Sequence, residues 1–181
     1  MDWFKQLLSI LSPPASAPKV ADAEIAAIER SLGLRLPDDY KAFAAAYGTG
    51  TLDDFITVLT PTARISHFRL DDYGEEMLKV LRELRAGGEE MPRPIHPEPG
   101  GLLPWGVTSN GDWGYWVTDP AAQPDLWPVA VNVGRGPEWY EHPGPLTRFL
   151  REALDRTITI PFFPDDFPSD DPAFRRLPDG T

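Results

Sequence analysis

Two apolar runs, Leu102 to Thr108 and Trp113 to Thr118, are separated by Ser109-Asn110-Gly111-Asp112. Asn-Gly between strand-forming residues is the strongest short-range hairpin signal, because both central residues of a type I′ turn need positive φ. An isolated hairpin is marginal in water, so other elements must cover it. The rings on this hairpin sharpen that demand. Side chains alternate along a strand, so Trp113 and Tyr115 point one way and Trp116 the other. Trp105 and Trp127 lie on strands of the same meander, and one aromatic face can enter the core against the helices. The other needs cover from the tail, from the N-terminal segment or from a partner.

The rest of the chain reads as helices and further strands. Asp22 to Leu32 reads as a helix with Asp22 as N-cap, Ile25, Ile28 and Leu32 as its buried stripe, and Gly33 after its end. A second helix starts at Pro37, buries Tyr40, Phe43 and Tyr47, and stops at Gly48. Phe55 to Leu59 has strand composition. Asp72 to Arg85 follows as a third helix, with Asp72 and Glu75 as a capping box and Met77, Leu78, Leu81 and Leu84 facing the core. A proline-rich loop fills residues 89–101. Leu126 to Val133 and Glu138 to Glu141 are further strands, Pro145 to Leu154 is a helix, and Thr157 to Ile160 is an edge strand. Helices first, a meander next and a helix last give an α+β fold, an antiparallel meander sheet packed against helices. Trp3, Phe4, Leu7, Leu8 and Leu11 have helical spacing, and Pro13 to Pro18 form a stiff linker. The expected organisation is therefore an N-terminal helix and linker over 1–18, a folded domain over 19–160, and a mobile acidic, proline-rich tail over 161–181.

Composition narrows the chemistry. No cysteine occurs among the 181 residues, which removes disulfides, thiolate nucleophiles and cysteine-based zinc sites. The formal net charge of −11, from 28 acids and 17 bases, repels phosphate backbones and anionic membranes. It suits solubility and, equally, a basic protein partner. No run approaches the roughly 20 apolar residues of a membrane span, and Met1-Asp2-Trp3-Phe4-Lys5 lacks the basic start of a signal peptide, so the cytoplasm is the expected location. His67, His96 and His142 fall in no metal-ligand spacing, and the prolines after His96 and His142 suggest solvated loop side chains. The Asp-Asp pairs fit no calcium loop. Ser109 misses the G-x-S-x-G spacing by one residue, and the turn accounts for it. No cofactor, metal or catalytic residue is expected.

Two blocks carry a resemblance. The first is Glu24 to Glu29, then Leu34-Arg35-Leu36-Pro37-Asp38-Asp39-Tyr40-Lys41-Ala42-Phe43, closing on Tyr47-Gly48-Thr49-Gly50. The second is Leu103-Pro104-Trp105-Gly106, then Asn110-Gly111-Asp112-Trp113, with Val129 to Val133 and Leu146 to Leu150 behind. Their order over residues 21–155 resembles the SUKH superfamily, which includes a fungal cell-wall synthesis regulator and many bacterial immunity proteins. The resemblance implies that Pro37, Tyr40, Phe43, Gly48, Asn110 and Gly111 shape a scaffold, and that the protein is no enzyme. It also implies a bacterial immunity protein that neutralises a cognate toxin, such as a basic nuclease or deaminase, by direct contact. A regulatory or scaffold protein without a toxin is the alternative, and a small-ligand binder ranks last. The surface expected to meet the partner joins Asp112, Trp113, Trp116, Asp119, Trp139 and Tyr140, because Trp and Tyr anchor interfaces and the aspartates add negative charge.

Overall fold

The computed structural model describes residues 2–16, 20–64 and 66–177. Its elements are α1 (Trp3–Ile10), α2 (Asp22–Leu32), α3 (Asp38–Tyr47), β1 (Gly50–Leu52), β2 (Ile56–Val58), α4 (Asp72–Ala86), β3 (Leu102–Thr108), β4 (Trp113–Val117), β5 (Val129–Asn132), β6 (Trp139–His142), α5 (Leu146–Leu154) and β7 (Phe174–Arg176). The strands form one antiparallel sheet in the order β6-β5-β4-β3-β2-β1-β7. The α+β class and the meander are as the sequence predicts.

Helices cover both faces of the sheet. On the first face, the Trp116 ring meets Tyr40 of α3 edge-on at 5.0 Å, while Trp105 and His142 both meet Phe149 of α5. Tyr40 donates its hydroxyl to Leu59 O at 2.9 Å, which lets a phenol sit fully buried. Asp39 ties α3 to α5 by accepting hydrogen bonds from Thr147 N and Oγ1, both 2.9 Å. Burial nevertheless pushes its carboxyl above the usual range. Helix α1 lies against α5, with Leu7 and Leu11 fully buried and the Arg148 guanidinium 5.0 Å from the Trp3 ring. On the opposite face α4 packs over β3.

Two glycines act through their missing side chains. Gly114 lies under the Trp105 ring, where a Cβ would sit 2.4 Å from Cζ2. Gly111 adopts φ 87°. The turn there is not type I′, because Asn110 is not among the residues with positive φ. Instead Gly111 N donates to Thr108 O and Thr108 N to Asp112 O, the pattern of a three-residue loop whose last residue is a left-handed glycine bulge. Pro104 is tolerated inside β3 because the β4 pairing shifts register between Pro104 and Gly106.

Several boundaries differ from the sequence reading. Ala21, not Asp22, caps α2, and its N–H is met by the Glu24 carboxylate at 3.0 Å. Pro37 precedes α3 as its N-cap. Asp71, not Asp72, caps α4. Residues 124–126 form a 3-10 turn, so β5 begins only at Val129. Residues 157–160 pair with no strand, and the edge is taken by β7, from a tail expected to be mobile. The linker expectation at Ala17 and Pro18, and the last four residues of the tail, lie outside the described residues.

Candidate binding surface

The strand register divides the aromatic residues between the two faces. Trp116, opposite Val129 and then His142, belongs to the face under α3 and α5. Trp113, Asn132 and Trp139 are successive partners across β4, β5 and β6, so they share the other face. Tyr115 joins them, its ring 5.6 Å from Trp139. Burial and the neighbouring Tyr73 raise the Tyr115 hydroxyl well above its ordinary pKa.

Helix α4 does not cover this second face completely. Met77, Leu78 and Leu81 point into the core, but Val80 and Leu84 are 36% and 40% exposed. The expectation that Leu84 is a core residue is therefore corrected: its side chain is left uncovered beside Trp113. Val80, Leu84, Trp113, Asn132 and Pro137 line an open groove of about 430 Å³, with Glu89 and Arg135 also in its wall. Trp113 in its wall is half-buried, as is Trp139 on the same face.

The predicted partner residues thus separate. Trp113 lines the groove, and Trp139 shares its face two strands away. Tyr140 is half-buried on the opposite face, where burial and then the Glu152 charge raise its hydroxyl pKa. Asp119 is exposed and adds charge near Arg93. Two expectations fail. Trp116 is wholly buried, and Asp112 is only 2% exposed, so neither is open to a partner. Asp112 locks the turn instead, accepting from Thr108 Oγ1 at 2.8 Å and from Gly134 N at 3.0 Å.

That lock joins the hairpin tip to the β5–β6 loop, so the groove opens at this end of the sheet. At the same end a hollow of about 580 Å³ holds Asp53, Asp54, Asp166, Asp171 and Ser109. Asp53 accepts from Ser169 N and Oγ there, and Asp54 pairs with Arg175 at 2.7 Å. That hollow is acidic, while the groove's own wall carries one acid, Glu89, and one base, Arg135.

Sequence reasoning missed Val80 and the two buried histidines. Val80 and Leu84 are four residues apart, a second apolar stripe beside the Met77-Leu81 stripe, which was the available signal. His96 and His142 are not solvated, at 8% and 2% exposure. Burial, then Arg82, holds the His96 imidazole below its ordinary pKa. His142 Nε2 lies 2.8 Å from Glu152, which also accepts from Arg148 at 2.9 Å. Burial by itself would raise the Glu152 carboxyl, but these bonds outweigh it and hold the group below the usual value. The network fastens β6 to α5. Among the described residues, no three His, Asp or Glu side chains are grouped to hold a metal, and no helix is long and apolar enough to cross a membrane.

An antiparallel sheet wrapped by helices, with turn-shaping positions inside and an apolar groove at one end, defines an α+β scaffold of the SUKH type. The family model described as SMI1-KNR4 cell-wall matches residues 22–143, and the chain belongs to that family within the SUKH superfamily. Comparison with curated proteins and with solved structures finds no match. The matched span includes both quoted blocks up to β6 but leaves out α1, α5 and β7.

Proposed function

We propose that this chain is a non-catalytic protein-binding module, an immunity protein of bacterial origin that neutralises a cognate toxin in the cytoplasm by covering it. The observation that carries the reading is the groove where half-buried Trp113 stands beside exposed Val80 and Leu84, on a protein of net charge −11. Rings and aliphatic groups at such a site lose little entropy on docking, and a surrounding acidic potential steers a basic partner. A nuclease or deaminase toxin with a basic nucleic-acid-binding surface has the matching chemistry.

Co-expression with the product of the neighbouring gene tests the proposal. Rescue from toxicity, and a complex whose affinity falls as salt rises, are expected. The absence of both rescue and a complex would refute it. The cell-wall description of the matching family favours a second reading, a regulatory scaffold with no toxin partner. A gene neighbourhood without a toxin would select that reading.

A further inference from the structure

Strand β6 is an edge of the sheet, and its outer main-chain groups have no partner. Val133 N donates to Glu138 O at 3.0 Å, which fixes the alternation along β5 and β6. Opposed pairs in an antiparallel ladder alternate between bonded and non-bonded. The bonded pairs are thus Val131–Tyr140 and Val129–His142, while Asn132–Trp139 and Ala130–Glu141 are non-bonded. The other side of β5 agrees, since Val117 N donates to Pro128 O, placing Ala130 and Asn132 in bonded pairs with β4. The N–H and C=O of Trp139 and Glu141 consequently point away from the sheet, and among the described residues nothing bonds to them. Pro137 and Pro143 bracket this open row, and both Glu138 and Glu141 are exposed on it.

We infer that the partner adds an extended, basic segment as an eighth strand along β6, its main chain bonding Trp139 and Glu141. This rests on the protein-binding reading above and specifies its geometry. Strand addition obtains affinity from main-chain bonds and specificity from alternate side chains. Every second side chain of the incoming strand would lie beside Trp139, on the face that carries the Trp113 groove. Basic residues would meet Glu138 directly, and Glu141 by displacing or joining the Arg93 guanidinium that now pairs with it. A second copy of this chain is the poorer occupant, because two molecules of charge −11 repel each other.

The test is amide hydrogen exchange on the full chain, alone and with a short peptide alternating lysine and valine. In the free protein the Trp139 and Glu141 amides exchange fast, and those of Tyr140 and His142 slowly. At saturating peptide the Trp139 and Glu141 amides slow by about tenfold or more, with no change at Tyr140 and His142. Glu141→Pro, which an edge strand tolerates because that N–H is outward, abolishes the protection of Trp139. Glu141→Ala, which keeps the N–H, retains it. A glutamate–valine peptide gives no protection. No binding at millimolar peptide, unprotected amides at saturation, or protection that survives Glu141→Pro would each overturn the inference. So would equal protection by the glutamate peptide. A toxin complex that depends on Trp113 and Trp139 yet leaves both amides exchanging freely would overturn strand addition alone and leave the binding role standing.

Discussion

At one end of the sheet β7 presents Phe174, Arg175 and Arg176; at the other β6 presents Trp139, Tyr140, Glu141 and His142. The first edge is sealed from inside. Phe174 stacks toward Tyr47 and Phe43 at 5.0 and 6.4 Å, over Gly50, where a Cβ would sit 2.4 Å from its ring. Asp53 N and Leu177 N continue the ladder at its two ends, and two arginines guard the strand. Charged residues on a short edge discourage further pairing. The second edge is fastened on one face by His142 to Glu152 of α5 and on the other by Arg93 to Glu141, and its outer main-chain row stays unpaired among the described residues. One edge is held by rings packed into the core, and the other carries the strand addition proposed above.

Four experiments would break or sharpen that contrast. Trp139→Ala has the largest expected effect, weakening the complex with the proposed toxin by about 3 kcal/mol, as read by calorimetry, and costing about 2 kcal/mol of stability because its half-buried ring also packs on Tyr115. Equal binding by the variant would move the interface elsewhere. Phe174→Ala should cost about 2 kcal/mol of stability in a urea titration, because a half-buried ring is lost against α3. Its affinity for the partner should stay unchanged, which is what independent edges require.

Acid should loosen β6 selectively. The folded-state Glu152 carboxyl titrates below its usual value of 4.5, so its contribution is fully present above that pH. It is lost as pH falls through the lower folded value, and is worth about 1–2 kcal/mol. Glu152→Gln should flatten the acid limb of the stability profile, and an unchanged limb would show that the network carries no linkage. The smallest effect belongs to Arg93→Ala. Arg93 grips Glu141 in two hydrogen bonds of 2.9 and 2.7 Å on an exposed face, so about 0.5 kcal/mol or less is expected in the same titration.

The legible part of the fold is the local part. Helix α3 could be read because Asp38 and Asp39 favour its positive end and Tyr40, Phe43 and Tyr47 repeat at helical spacing. The β3–β4 hairpin could be read from its Asn-Gly turn, although the turn type could not, since φ at Asn110 follows from how the loop is held. Its neighbours Phe55, which accepts from Ser109 N, and Gly134, which donates to Asp112, are distant in sequence. Half of the candidate surface was visible for a similar reason. Trp113 and Trp139 are conspicuous as residues, and period-two alternation separates Trp113 from Trp116, but alternation does not say which face α3 and α5 will cover.

By itself the sequence determined the α+β class, the order of the main helices and strands, and an acidic character suited to a basic partner. These depend on periodicity, turn residues and charge, which act within a few positions or over the whole chain. Tertiary structure alone decided that Asp112 and Trp116 are interior, that Leu84 is open, and that the tail returns as β7. Each of those outcomes depends on which distant surface arrives to displace water, and no local pattern encodes that arrival.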